Sequence, residues 1–187
     1  KTGVSIQTIK QKMDCGDILL QRSFTIEKGE SADEVLSDKV AKLSAEMVKD
    51  VLEDFEAKLK GATPQNEAEA SYSHLLKKCD GLIDWQRSAT EIEWQINAFN
   101  SWPGTYTFRN GKKLNIIEGH ALLEKEAPCG VAPGTVLGKD EKEGILVLTG
   151  NGILCVSKLQ WETKKVLGWK DFLNGAHLFL GSSLSSE

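Results

Sequence analysis

Two strand-like runs flank Lys12-Met13-Asp14-Cys15-Gly16-Asp17, which gathers two carboxylates, a thiol and a glycine within six positions. A carboxylate at a strand end, beside a cleft, can tune a proton transfer. The same residues also make an ordinary turn, because Asp and Gly are favoured where the backbone reverses. Residue chemistry by itself leaves both readings open. A second signal is basic: the pairs Lys77-Lys78, Lys112-Lys113 and Lys164-Lys165, with Arg87 and Arg109. Such side chains can neutralise phosphates, or simply solvate a surface. The remaining nucleophiles and metal-binding types are scattered. Cys15, Cys79, Cys129 and Cys155 form no C-x-x-C pair, and His74, His120 and His177 form no cluster. These gaps are too wide to read as a metal site, so no metal is expected. The cysteines read as free thiols of a reducing compartment.

The elements that must position these residues can be read from periodicity. Val4, Ile6 and Thr8 alternate with polar residues as a strand does, and Ile18 to Phe24 makes a second strand. Ser31 followed by Glu34 is a capping box. Leu36, Val40, Leu43, Met47, Val51, Phe55 and Leu59 then follow at spacings of three and four, predicting one apolar stripe of a long helix, bent near Ser44 and capped by Gly61. Residues 61–71 hold no bulky apolar residue and one proline, the composition of a linker. Leu82 to Trp85 is a short extended piece. Ser88 and Glu91 form a second capping box, ahead of a helix whose apolar face is Ile92, Ile96 and Phe99. Asn110-Gly111 and Asn151-Gly152 are hairpin turns between strand-like runs, and Tyr106 to Trp161 reads as about five short strands of a small barrel or sandwich. Trp169 to Leu173 suits a closing helical turn, and Ser182 to Glu187 a frayed end. Trp85, Trp102 and Trp161 read as fold determinants, with Trp102-Pro103 packing the loop after its helix.

Composition bounds these readings. The chain has 187 residues, 40% hydrophobic and 27% charged, which is a globular profile and excludes global disorder. No apolar run approaches the ~20 residues that span a bilayer. Residues 1–70 carry 10 Lys/Arg against 14 Asp/Glu, and residues 71–187 carry 13 of each. A polyanionic partner would therefore meet the later part more readily than the first. Lys1 is not a methionine, the chain opens directly into a strand, and no signal peptide is visible, so the sequence reads as a fragment whose start lies upstream.

Thr2-Gly3-Val4-Ser5-Ile6, followed by Met13-Asp14-Cys15-Gly16-Asp17-Ile18-Leu19, resembles the folate-dependent formyltransferases, in which a T-G-V-[ST]-[IV] strand precedes a [LM]-D-x-G-[DP]-[IV]-[LI] loop. Asp80-Gly81-Leu82-Ile83-Asp84-Trp85 is similar to the D-G-x-I-D-W stretch of one branch of that family. Ala98-Phe99-Asn100-Ser101-Trp102-Pro103-Gly104 is similar to its A-F-N-P-W-P segment. Ala132-Pro133-Gly134-Thr135-Val136 and Asp171-Phe172-Leu173-Asn174-Gly175 complete the series in order. Together these segments resemble the methionyl-tRNA branch of the formyltransferases.

That resemblance implies formyl transfer from 10-formyltetrahydrofolate, a co-substrate, to the amino group of initiator methionyl-tRNA, in translation initiation. An amine attacks a formamide-like carbon, so an oxyanion must be stabilised and protons moved. Of the family's catalytic Asn, His and Asp, only the Asp maps here, onto Asp14. The other two belong to an H-P-S-L-L-P region that has no counterpart in this chain, and His74, His120 and His177 do not match it. Gln11, Lys12 and Met13 correspond to the segment that meets the folate, largely through backbone groups; Met13 replaces the commoner Leu and reads equally as core packing. Lys77, Lys78, Lys164 and Lys165 match basic positions of the family and are its expected tRNA-binding residues. Lys112 and Lys113 have no family match, and a smaller effect is expected there. The implied fold is α/β followed by mainly β: the C-terminal part of a formyltransferase catalytic domain (1–60), a linker (61–75) and an OB-like β-barrel that binds tRNA (76–187). The missing upstream motif reads as an N-terminally truncated enzyme, inactive alone and a monomer when complete, of the bacterial cytoplasm or alternatively the mitochondrial matrix. The alternative is a non-catalytic RNA- or protein-binding module derived from such an enzyme. A formyltetrahydrofolate hydrolase or a sugar-amine formyltransferase is a weaker third reading.

Overall fold

The computed structural model describes residues 2–122, 128, 130–176 and 178–186; Cys129 and His177, both named above, lie outside them. The chain divides into two compact units, Lys1–Leu75 and Leu76–Glu187.

In the first unit, strands β1 (Thr2–Gln7) and β2 (Ile18–Phe24) pair antiparallel, with Thr2 opposite Phe24 and Ile6 opposite Leu20. Helix α1 follows from the Ser31–Glu34 capping box, in which the Ser31 hydroxyl accepts from the Glu34 N–H and the Glu34 carboxylate from the Ser31 N–H. It comprises Ala32–Glu34, a wider π-type stretch Val35–Val40, and Ala41–Glu53. The π stretch corrects the predicted stripe. One extra residue per turn rotates the face that follows, so Val35, five positions before Val40, turns inward. Leu36 is 59% exposed, whereas Val35, Met47 and Val51 are buried. The helix breaks at Asp54 (φ −139°, ψ 51°) rather than bending at Ser44, and a short helix α2 (Phe55–Lys60) follows. Phe55 and Leu59 consequently stay about half exposed. The stretch read as a linker is hydrogen-bonded to the strands: Thr63 and Ile18 exchange both backbone bonds, at 2.8 and 3.0 Å.

The second unit is a six-stranded sheet beneath a helix. Its strands are β3 (Thr105–Arg109), β4 (Lys112–Leu122), β5 (Val136–Asp140), β6 (Gly144–Leu148), β7 (Ile153–Trp161) and β8 (Leu167–Gly168). The ladders run antiparallel in the order β3-β4-β7-β6-β5, with β8 paired to β7. Asn110 and Gly111, at φ 51° and 70°, make the β3–β4 turn, the left-handed pair that a two-residue hairpin demands. Helix α3 (Ala89–Ala98) starts at the Ser88–Glu91 capping box and lays Ile92 and Ile96, 0% and 2% exposed, on the sheet. Glu93 lies on the same covered side at 4% exposure, and its carboxylate accepts from the Ala121 N–H at 3.0 Å. Trp85 donates through Nε1 to Thr107 Oγ1 at 3.0 Å, and Trp161 stacks on Phe172 of helix α4 (Trp169–Gly175). Trp102 departs from its expected packing and is 53% exposed. Gly81 and Gly104 touch backbone to backbone: a Cβ at Gly81 would lie 1.9 Å from the Gly104 oxygen. The Asp80–Trp85 and Ala98–Gly104 segments therefore pack against each other.

Residues 182–186 of the tail are not frayed. Leu184 is 3% exposed and donates its N–H to Gly134 O, while Ser185 exchanges both backbone bonds with Phe108 on β3. The Val136 N–H on β5 donates to Ser182 O. The two outer strands β3 and β5 do not pair with each other among the described residues; each is hydrogen-bonded to this tail instead. The fold is thus sheet-rich and antiparallel.

Candidate functional site

In the first unit, the loop between β1 and β2 is clamped at its base. The Thr8 N–H donates to Asp17 O at 3.0 Å, and the Asp17 N–H to Thr8 Oγ1 at 2.9 Å. Gly16 is required for this closure, because a Cβ there would lie 1.6 Å from Thr8 O. Lys10 reaches Asp17 at 2.7 Å and leaves Asp14 as the carboxylate at the tip. Asp14 takes φ 57°, which Asp tolerates better than most side chains. It is exposed, and Gln7 Nε2 lies 3.4 Å from its Oδ1. Gln65, from the stretch read as a linker, closes the loop from the other side. Its Nε2 is 2.7 Å from Gln7 Oε1 and Gly16 O, and 2.9 Å from Asp14 O.

These contacts shape a groove of about 580 Å³ in which Lys12, Met13 and Asp14 face Gln65, Glu67 and Tyr72. That volume lies within the ~300–1,000 Å³ of small-molecule sites. The Tyr72 hydroxyl bonds the Lys12 ammonium and the Glu67 carboxylate adds to it, so the Lys12 pKa is raised above its ordinary value. Met13 is 82% exposed. Gln11 is exposed as well and lines a second concavity of about 360 Å³, shared with Lys12, Met13 and Asp14. Gln65 and Tyr72 escaped the sequence reading, since a polar residue in an irregular segment carries no periodic signal.

The basic residues of the second unit divide differently from expectation. Lys77 and Lys78 are exposed at the single helical turn Lys78–Gly81, where the Lys77 N–H donates to the Asp80 carboxylate at 2.7 Å. Lys164 lies instead in an open groove of about 760 Å³ with Arg109, Lys112, Lys113 and Trp161; Glu162 also contributes to the wall. Lys77, Lys78 and Lys165 are not among the residues lining it. The β3–β4 turn carries Lys112 and Lys113 to the end of β7, where Lys164 follows. The pair without a family match therefore joins Lys164 of the last pair, which spacing could not reveal. Arg109 serves the fold: its Nε donates to Ser182 Oγ at 3.0 Å, and its guanidinium lies 5.1 Å from the Phe179 ring centroid. Lys113 holds its ammonium 4.1 Å from the Tyr106 ring centroid.

Residues 75–177, more than half of the chain, match the family model described as "Formyl transferase, C-terminal domain". The chain belongs to this formyl transferase family. Among its relatives, the methionyl-tRNA formyltransferase of Treponema denticola is 50% identical over 96% of this chain and 56% of its own length. The enzymes of the same name from Treponema pallidum and Bacillus subtilis are 37% and 34% identical, each over 98% of this chain and 57% of their own. The chain thus spans just over half the length of the curated relatives it matches. Its fold is shared with HypX from Aquifex aeolicus. A crystal structure of HypX in complex with tetrahydrofolic acid gives a TM-score of 0.64 at 21% identity, covering 91% of this chain and 29% of that one. A multiply substituted variant gives 0.66 at 20% identity, over 92% and 30%. Among the described residues, no helix is long and apolar enough to cross a membrane.

Proposed function

We propose that this formyl transferase chain is the C-terminal part of an enzyme that moves a formyl group from 10-formyltetrahydrofolate to the amino group of initiator methionyl-tRNA in a bacterial cytoplasm. The carrying observation is the 50% identity, over 96% of the chain, to a protein named methionyl-tRNA formyltransferase. The folate supplies the formyl carbon; the chain's own residues bind, orient and move protons. Asp14 is assigned the proton relay, and its exposed position at the tip of a clamped loop suits a group that must meet a substrate. Gln11, Lys12 and Met13 are assigned to the folate. The groove that Lys12 and Met13 border has a suitable volume, Gln11 lines the adjoining concavity, and exposed Met13 offers an apolar contact to a flat ring.

In this reading residues 76–187 form the tRNA-binding domain, a small OB-like barrel in which the tail completes the sheet between β3 and β5. Lys164, Lys112 and Lys113 around one groove contact phosphates, with Lys77, Lys78 and Lys165 as further contacts. Residues 1–60 belong to the catalytic domain and 61–75 join the two.

The test is an acceptor assay on the protein encoded by the complete reading frame containing this chain, with methionyl initiator tRNA and the formyl folate. Formylmethionyl-tRNA should accumulate, and Asp14→Asn should lower kcat by ~10²–10⁴ while leaving tRNA affinity unchanged. No formylated product, with intact tRNA binding, would instead favour a binding module.

A further inference from the structure

Outside both grooves, three side chains of chemistry otherwise unrelated to the proposed transfer meet on the second unit. His120 on β4 stands directly opposite Cys155 on β7. Cross-strand partners share one face of a sheet, with Cβ atoms ~4.5–5.5 Å apart. Leu154 and Val156 belong to the hydrophobic core, so the period of two turns Cys155 away from it. Cys155 is nevertheless 0% exposed. Glu143, in the turn between β5 and β6, lies over it, with Oε2 3.0 Å from His120 Nε2. The turn holds Glu143 in place, since its N–H donates to Asp140 Oδ1 at 3.3 Å. The neighbouring Gly144 leaves the thiol room: a Cβ there would lie 3.1 Å from Cys155 Sγ. One ligand atom from each of His120, Glu143 and Cys155 lies within 4.8 Å of the other two.

We propose that His120, Glu143 and Cys155 form a binding site for a divalent transition metal ion, of which zinc is the natural occupant. The donor set is one sulfur, one imidazole nitrogen and one carboxylate oxygen, which suits a borderline-soft ion and disfavours magnesium or calcium. Around tetrahedral zinc, bonds of ~2.0–2.3 Å put ligand atoms ~3.3–3.7 Å apart. The imidazole and carboxylate, now 3.0 Å apart, must open slightly and give up their mutual hydrogen bond, while the thiol, within 4.8 Å of both, completes the third edge by side-chain adjustment. The His120 and Glu143 side chains are 42% and 48% exposed, which gives an ion a route from solvent and leaves a fourth position for water. The thiol gives up its proton to solvent as the metal–sulfur bond forms. An ion held there ties β4, β7 and the β5–β6 turn together.

The test uses the full chain with Cys15, Cys79 and Cys129 replaced by serine, titrated with cobalt(II) as a spectroscopic substitute. A near-ultraviolet thiolate-to-cobalt charge-transfer band and the visible bands of four-coordinate cobalt are expected, and zinc should abolish both by displacement. Cys155→Ser should remove the charge-transfer band. His120→Ala and Glu143→Gln, at half-exposed positions that folding tolerates, should each weaken binding more than about a hundredfold, beyond the ~10–100-fold that loss of a supporting outer contact costs. Zinc should also raise the melting temperature of the parent and not that of His120→Ala, because an ion that binds only the folded state stabilises it. Absence of the charge-transfer band at millimolar cobalt overturns the proposal. So do visible cobalt bands or a zinc-induced stabilisation that survive either Cys155→Ser or His120→Ala undiminished, which would mean an adventitious surface site.

Discussion

Gly16 constrains the first unit more tightly than either carboxylate beside it. Any side chain there would overlap Thr8 O, which is backbone and cannot rotate aside. Gly16→Ala should therefore cost about 1–3 kcal/mol, the typical penalty of overpacking, measured by urea denaturation of the first unit. Asp14→Asn should leave that stability almost unchanged, because Asp14 is exposed and its contact with Gln7 is long at 3.4 Å. The two substitutions separate scaffold from chemistry within one loop. A fall in stability for Asp14→Asn equal to that of Gly16→Ala would make Asp14 a turn residue. Gln65 is intermediate: Gln65→Ala removes an amide that reaches three acceptors and should loosen the loop, seen as faster amide exchange at Gly16 and Asp17.

At the scale of elements, helix α3 begins at a reciprocal cap, and the cap has a pH signature. The Glu91 carboxylate accepts from the Ser88 N–H and from the Ser88 hydroxyl, and Arg87 adds to this, so its pKa lies below the usual carboxylate value. A carboxyl whose folded pKa is depressed contributes stability that is fully present above its unfolded pKa, near ~4.3, and is lost as pH falls through the folded one. Acid unfolding of the second unit should therefore begin below about pH 4.3, and Glu91→Gln should flatten that limb. A wild-type acid limb in Glu91→Gln would show that the cap contributes nothing to it. The tail is the other decisive element. Leu184→Ala should cost about 2–5 kcal/mol, as for other fully buried leucines, by thermal or chemical melts. A frayed tail would predict no change.

For the molecule as a whole, charge is segregated. The first 70 residues carry the net negative charge, while the later neutral segment gathers Lys112, Lys113 and Lys164 about one groove. Each phosphate neutralised releases counterions, so log affinity for tRNA should fall with log salt by ~0.7–0.9 per contact. Replacing Lys112 and Lys113 with alanine should flatten that slope by about one to two units, more than their lack of a family match suggested. Lys164→Ala should remove about one further unit. Lys77→Ala with Lys78→Ala tests whether the first pair belongs to the same footprint. Unchanged slopes in all three variants would reduce these lysines to a solvated surface.

Local chemistry was legible wherever a few consecutive residues sufficed. Both capping boxes, the Asn110-Gly111 turn and the apolar face of Ile92 and Ile96 are short-range patterns whose physics is complete within one or two turns of chain. The loop around Asp14 was legible too, because glycine and two aspartates mark a reversal irrespective of context. What required the tertiary structure was every relation that depends on phase or on distance along the chain. One extra residue in the π stretch exchanged Val35 for Leu36 as the buried position, and periodicity has no means of announcing such an insertion. Residues 61–71 have the composition of a linker, yet Thr63 bonds Ile18 of β2 and Gln65 binds the loop through groups that any polar segment carries. Leu184 looks like a lone apolar residue in a polar tail until Gly134 supplies its backbone partner and Phe108 that of Ser185. His120, Glu143 and Cys155 are too far apart in sequence to suggest a ligand set, and only the register of β4 against β7, with the turn before β6, brings them within reach. Sequence by itself determined most of the local elements and which side chains they carry. Tertiary structure decided which of those groups meet, because strand register and helix phase are set by packing between residues remote in the chain.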